Sequence, residues 1–172
     1  MKKWYVITGA PCSGKTTILK LLSEKGYTVF PEVAREYIDE LIKQGKTIEE
    51  IRSDEILFQE KILELKIEKE SILPDSLIFF DRGIPDTHAY LRFLGVLDSK
   101  ILDLSLVNHY VKVFILDPCE YKSDYARTET KEDQEILHNL LQEAYKKSGA
   151  MIISVPVFDT KDARVDFILK NI

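Results

Sequence analysis

Residues Gly9-Ala10-Pro11-Cys12-Ser13-Gly14-Lys15-Thr16 follow the pattern G-x-x-x-x-G-K-[ST], and their flanks match what that pattern requires. Trp4-Tyr5-Val6-Ile7-Thr8 before it reads as a buried strand, and Thr17-Ile18-Leu19-Lys20-Leu21-Leu22 after it as a helix. Strand, glycine-rich loop and helix together make a phosphate-binding loop. The glycines let the backbone curl until successive N–H groups point inward, and the new helix adds its positive dipole end. The loop therefore points the chain to an α/β fold. The segment expected to hold a nucleotide is Gly9, Ala10, Pro11, Cys12, Ser13, Gly14, Lys15, Thr16 and Thr17. Lys15 is placed to reach the β- and γ-phosphates, and the Thr16 hydroxyl to hold Mg²⁺.

The rest of the 172 residues repeats the same alternation. Short apolar runs at Tyr5–Thr8, Tyr27–Phe30, Leu77–Phe80, Val111–Leu116 and Met151–Val155 lack polar alternation, as strands covered on both faces do. Between them lie helical patterns at Thr16–Lys25, Val33–Gln44, Ile48–Ile72, Pro85–Leu94, Lys100–Asn108, Lys131–Lys147 and Lys161–Asn171. This spacing predicts a parallel sheet of about five strands, sandwiched between helices, in one domain spanning 1–172. Gly26, Gly45 and Gly149 are expected to end helices, and Thr47-Ile48-Glu49-Glu50 to start one with a capping box. In the long stretch to Ile72, the apolar positions Ile56, Leu57, Ile62, Leu63, Leu65, Ile67 and Ile72 are taken as the packed stripe. Its Glu and Lys pairs, Glu64 with Glu68 and Lys66 with Glu70, read as a solvated face.

Ligands of open parallel sheets sit beyond the carboxyl ends of the strands, so the residues there are the candidates for chemistry. After the second run, Glu32 can accept a proton from an acceptor hydroxyl, and Arg35, one turn on, can clamp a phosphate or the acceptor. A local Glu–Arg pair is the plainer alternative. After the third run, Asp81 can hold Mg²⁺, with Arg82 beside it aimed at the nucleotide site; capping of the next helix competes for Asp81. His88 reads as a hydrogen-bonded histidine near the cleft rather than a catalyst. After the fourth run, residues 118–131 are polar and aperiodic, which suits either a lid carrying Arg127 or an ordinary surface loop. Pro156-Val157-Phe158-Asp159-Thr160 and Arg164 are placed near a nucleobase.

Composition narrows the function classes. Lys plus Arg total 24 against 29 Asp plus Glu, a net charge of −5, so no general positive field exists for wrapping nucleic acid. No run approaches the ~18 apolar residues of a membrane span, and the first residues enter a strand without an apolar leader, so a cytoplasmic protein is expected. Cys12 and Cys119 have no metal-ligand spacing and are expected to be reduced. No Asn-Lys-x-Asp sequence accompanies the loop, which disfavours a guanine-specific switch.

The runs VITGAPCSGKTT, PEVAREYI, IFFDRGIPDTHAY, YARTETKEDQ and VPVFDTKDARVDFIL resemble the small kinase-like P-loop family labelled "AAA domain". They are similar to nicotinamide riboside kinase domains and, more distantly, to deoxynucleoside and thymidylate kinases. The resemblance implies a P-loop NTPase three-layer sandwich with sheet order 2-3-1-4-5, ATP or GTP with Mg²⁺, and a mobile lid. It maps a base or substrate ligand onto Glu32, the Asp-Arg pair onto Asp81 and Arg82, and the lid arginine onto Arg127. Deoxynucleoside kinases carry Glu-Arg-Ser where this chain has Asp81-Arg82-Gly83.

Taken together, these residues lead to an expected small-molecule kinase, a monomer or homodimer, that transfers the γ-phosphoryl of ATP to a nucleoside-like or other small hydroxyl or phosphate acceptor. Its catalytic residues would be Lys15, Glu32, Asp81 and Arg127. Glu32, Arg35 and Arg82 would hold the acceptor, and Thr16 and Asp81 the metal. The competing expectation is an NTP-binding switch or slow NTPase that regulates a protein or lipid partner.

Overall fold

The computed structural model describes residues 2–97, 100–106, 109–119 and 130–172. Among them, five strands run parallel in one sheet: β1 (Lys3–Thr8), β2 (Thr28–Phe30), β3 (Leu77–Asp81), β4 (Lys112–Leu116) and β5 (Ile152–Val155). Their order is β2-β3-β1-β4-β5, the order that the resemblance implies. Eight helices are described: α1 (Lys15–Glu24), α2 (Val33–Lys43), α3 (Ile48–Ile51), α4 (Glu55–Ser71), α5 (Ile84–Phe93), α6 (Lys100–Leu104), α7 (Lys131–Lys147) and α8 (Lys161–Lys170).

Successive side chains of a strand point to opposite faces, so β1 divides its apolar residues between two cores. Tyr5 and Ile7 pack with Ile18 and Leu22 of α1 and with Val165 and Ile168 of α8. Trp4 and Val6 pack on the other face with Phe80, Ile115, Tyr110 and Tyr145 of α7. Phe80 is the hinge of that second core, with ring centroids 5.1 Å from Trp4, 5.2 Å from Phe30 and 5.6 Å from Tyr110. Truncating it to alanine would cost about 3–5 kcal/mol, the usual range for a buried phenylalanine.

The stretch expected as one helix to Ile72 is two. Thr47 and Glu50 form the expected capping box around α3. The chain then stops, and the Asp54 side chain starts α4 by accepting from Leu57 N at 3.0 Å. The buried face of α4 also differs from the expected stripe. Ile56, Leu57, Ile67 and Ile72 are exposed, whereas Phe58, Gln59, Ile62, Leu63, Lys66 and Glu70 are buried.

Lys66 and Glu70 therefore do not belong to a solvated face; they are 4 % and 3 % exposed. The cause is that α4 is flanked by both α2 and α5. A buried charge needs partners, and α4 finds them in the next layer. Lys66 Nζ donates to Gly83 O at 2.7 Å and Thr87 Oγ1 at 3.3 Å, and Glu70 Oε1 accepts from Tyr110 OH at 2.8 Å.

Candidate active site

The loop between β1 and α1 is shaped by two glycines. A Cβ on Gly9 would lie 2.7 Å from Leu116 O, and both Gly9 (φ 152°) and Gly14 (φ 83°) hold positive φ. Gly14 is the N-cap of α1, so the first N–H groups of that helix face outward without intrahelical acceptors, the arrangement that receives an anion. Lys15 folds back over the loop, its Nζ donating to Gly9 O at 2.7 Å, Ala10 O at 3.1 Å and Ser13 Oγ at 3.3 Å. Burial and the charge of Arg82 push the Lys15 ammonium below its ordinary range, against Asp81, Glu32 and Asp86.

Two distant residues hold the loop from behind. Arg164 of α8, 5 % exposed, donates from Nη1 to Ser13 O (2.8 Å) and from Nη2 to Asp117 O (2.8 Å) and Val155 O (3.0 Å). It thus joins the loop to the ends of β4 and β5. Gln134 of α7 donates to Pro11 O at 2.6 Å. In the segment after β5, Phe158 packs on Phe167 at 5.5 Å, and the Thr160 hydroxyl caps α8 by accepting from Ala163 N at 3.1 Å.

In front of the loop lies a cavity of about 360 Å³, lined by residues 11–17 together with Glu32, Arg35, Arg82 and Tyr90. The ends of β2 and β3 meet there. Glu32 Oε1 is 3.0 Å from Arg82 Nε. That N–H is not aimed at the carboxylate and makes no directed hydrogen bond, so the contact is an ion pair. Burial opposes the charge of Glu32, but Arg82, Lys15, Arg35 and Lys66 outweigh it and hold the carboxyl below its ordinary range. Arg82 stays charged for the reciprocal reason: burial is offset by Tyr90, Glu32, Asp86 and Asp81. Its backbone is left-handed (φ 68°), and its Nη1 donates to Tyr90 OH at 2.9 Å. Arg35 is exposed on α2, at the rim of the same cavity.

Asp81 lies on an adjoining recess. Thr16, Asp81, Glu32 and Arg35 line one recess between α1 and α2. Asp81 Oδ1 is buried and accepts no hydrogen bond. Burial and Glu32 push its carboxyl up, against Arg82 and Lys15. An orphaned carboxylate oxygen and a threonine hydroxyl on one recess are hard oxygen donors that fit Mg²⁺. The N-cap of α5 is not Asp81 but Gly83, whose N–H donates to Asp86 Oδ2 at 2.9 Å. Asp86 is 1 % exposed and also accepts from Thr8 Oγ1 and Tyr145 OH, so it braces the turn that presents Arg82.

A second cavity, about 170 Å³, shares Glu32, Arg82 and Tyr90 with the first. Its other walls are Phe58, Gln59, Ile62 and Lys66 of α4, with Ala34, Arg52 and Thr87. Sequence reasoning missed this wall. Gln59 and Lys66 are polar residues on the buried face of an otherwise ordinary amphipathic helix, and no motif marks them. His88 lines neither cavity; its Nδ1 is 3.2 Å from both Leu102 O and Ser105 Oγ, which makes it a hydrogen-bonded core histidine. Arg127 and residues 120–129 of the expected lid lie outside the described residues. Among the described residues, no helix is long and apolar enough to cross a membrane.

The fold is kinase-like. It is similar to the thymidylate kinase from Ehrlichia chaffeensis (TM-score 0.64, 19 % identity, 99 % of this chain and 97 % of that one). It is similar also to a deoxyadenosine kinase from M. mycoides (TM-score 0.64, 18 % identity, 98 % and 97 %). A NadR protein in complex with NR aligns with TM-score 0.70 at 15 % identity, over 98 % of this chain and 51 % of that longer one. No curated protein sequence matches. The family described as "AAA domain" matches residues 4–163, from the first strand to the last helix, and the chain belongs to that P-loop family.

Proposed function

We propose that the chain is a kinase that transfers the γ-phosphoryl group of ATP to a hydroxyl of a small, nucleoside-like acceptor. The observation that supports this reading most is the position of Glu32. It stands at the junction of the two cavities, ion-paired to Arg82 and held ionised. A pure NTP-binding switch needs the phosphate loop but has no use for a carboxylate opening onto a second cavity.

The roles follow from charge and place. The loop backbone and Lys15 hold the β- and γ-phosphates. Thr16 and Asp81 would hold Mg²⁺, which supplies charge neutralisation to the phosphates when bound. The acceptor enters the second cavity, between Phe58 and Tyr90, with its hydroxyl toward Glu32. An ionised carboxylate there repels a phosphate acceptor and orients a hydroxyl. A low carboxyl pKa suits a loose transition state, in which the hydroxyl proton leaves late and orientation counts for more than basicity. Arg82, and Arg35 at the rim, face the charge that develops on the transferring group. Arg127 belongs to this proposal as the lid arginine. The thymidylate and deoxyadenosine kinases of the same fold act on acceptors of the nucleoside and nucleotide class, which supports a nucleoside-like acceptor here.

The test is transfer from γ-labelled ATP across a panel of nucleosides, nucleoside monophosphates and small hydroxylated metabolites, with wild type and Glu32→Gln. Transfer to a hydroxyl acceptor should fall by about 10²–10⁴-fold in Glu32→Gln, while affinity for an ATP analogue stays within a factor of about three. Tight ATP binding with no transfer to any acceptor would overturn the kinase reading in favour of a switch.

A further inference from the structure

The chain's two cysteines are 107 positions apart in sequence and meet at the phosphate loop. Cys119, just beyond β4, donates its backbone N–H to Cys12 O at 3.2 Å. Covalent geometry across such a bond caps the separation of the two α-carbons at about 7 Å. A disulfide spans about 4.4–6.8 Å between α-carbons. The Cys119 sulfur also faces the loop. It accepts from Arg164 Nη1 at 3.5 Å and lies 3.9 Å from where a Cβ on Gly14 would stand. Cys12, on its side, lines the 360 Å³ cavity, where a small thiol reagent can reach it. Both side chains are partly exposed, and no disulfide joins them. Cys12 holds a left-handed backbone (φ 63°), a conformation that a non-glycine residue keeps only while its surroundings enforce it.

We propose that Cys12 and Cys119 form a reversible redox pair whose disulfide ties the phosphate loop to the end of β4 and shuts down nucleotide binding. The oxidant class is a low-molecular-weight disulfide. The Cys12 thiolate attacks one sulfur of that disulfide and expels the first small thiolate, leaving a mixed disulfide on Cys12. The Cys119 thiol gives up its proton and attacks the Cys12 sulfur, expelling the second small thiolate. The two expelled thiolates take up the two protons lost by the protein thiols. The protein has lost two protons and two electrons, and the small disulfide has been reduced to two thiols. A cross-link that pulls on the Cys12 side chain rotates the peptide units that line the cavity, so the loop can no longer wrap a phosphate. Cytosolic disulfides are usually of this transient, sensing kind.

The full chain is incubated with oxidised glutathione, quenched in acid and read by intact mass, and in parallel titrated with a fluorescent ATP analogue. The expected product has lost two hydrogens, carries no glutathione and has no alkylatable thiol. It binds the analogue at least tenfold more weakly and recovers with dithiothreitol. Cys119→Ser should bind the analogue like the reduced wild type and, after oxidation, stop at the mixed disulfide on Cys12. Saturating ATP should slow the reaction of the wild type. Two alkylatable thiols after incubation, a stable glutathione adduct on the wild type, or a cross-linked protein that binds the analogue as tightly as before would each overturn the proposal. Binding, not transfer, is read throughout, so its failure is distinct from failure of the kinase reading.

Discussion

Glu32 and Arg82, one from the end of β2 and one from the end of β3, stand 3.0 Å apart between the phosphate loop and the second cavity. Fifty positions separate them in sequence, and parallel pairing of β2 with β3 brings them side by side. Each governs the charge of the other. Arg82 is the largest influence keeping Glu32 ionised despite its burial, and Glu32 is among those that keep Arg82 charged.

Removing Arg82 should therefore change the pH dependence of transfer as well as its rate. In Arg82→Ala, Glu32 loses the largest of the charges that oppose its burial, and its carboxyl rises above its present value. The acidic limb of the pH–rate profile should move to higher pH, because Glu32 then takes up a proton where it was ionised before. The rate at its plateau should fall by about 10²–10³-fold, the usual loss for one donor aimed at a transferring group. Arg82→Lys should keep the acidic limb near its original place while losing the fork geometry and the Tyr90 contact. The profiles of the three proteins with the acceptor found by the panel check this.

The strand-end residues were legible because each directly follows an apolar run, where the parallel sheet leaves no other place for function. Pro11 to Thr17, Glu32 and Arg82 line one cavity for that reason, and Asp81 lines the adjoining recess with Thr16 and Glu32. The supports were not legible. Gln134 touches the loop from 123 positions away and Arg164 from 151, and no local pattern encodes a contact at that range. The cavity wall on α4 was obscured by the helix itself. A helix squeezed between α2 and α5 buries a wider and more polar face than a solvent-lying one. Its exposed isoleucines at Ile56, Ile67 and Ile72 pull the apparent apolar stripe out of phase.

Arg164 tests how far the phosphate loop depends on support from behind. Arg164→Leu would leave the carbonyls of Ser13, Asp117 and Val155 without its three donated bonds. Each buried carbonyl that finds no water costs on the order of 1–3 kcal/mol. Loss of about 2–4 kcal/mol in urea unfolding is expected. Affinity for an ATP analogue should fall at least tenfold, because the Ser13 peptide is part of the anion nest. A variant that unfolds earlier but binds as tightly would show that Arg164 serves the sheet and not the loop.

In the proposed kinase, Asp81 sets the metal dependence. Its orphaned Oδ1 and the Thr16 hydroxyl share one recess, so Asp81→Asn keeps the shape and removes the charge. Wild type should bind an ATP analogue much more tightly with Mg²⁺ than with EDTA. In Asp81→Asn the ratio of the two affinities should shrink toward one. The EDTA affinity itself should hold or rise slightly, since a carboxylate near the phosphates has gone. Calorimetric titration in the two buffers separates these effects.

Glu70 makes the stability of the fold depend on pH near neutrality. Burial raises its carboxyl from an ordinary 4.5 to about 7, against the Tyr110 hydrogen bond and the charges of Lys66 and Lys2. Its Oε2 is buried without a partner, so the ionised form is poorly accommodated. Below pH 4.5 the group is protonated in both the folded and the unfolded chain and has no effect. Between 4.5 and 7 the unfolded chain releases the proton while the folded one keeps it, so stability falls as pH rises. Above about 7 both forms are ionised and the full penalty, roughly 3 kcal/mol, is in place. Glu70→Gln keeps an oxygen for the Tyr110 hydroxyl and has no charge to bury. Its stability should match that of wild type near pH 5 within about 1 kcal/mol and exceed it by about 2–3 kcal/mol at pH 8. Urea unfolding at the two pH values, with Tyr110→Phe as a control for the shared hydrogen bond, distinguishes the titration from simple packing. A gain for Glu70→Gln that is equal at both pH values would trace the effect to packing instead.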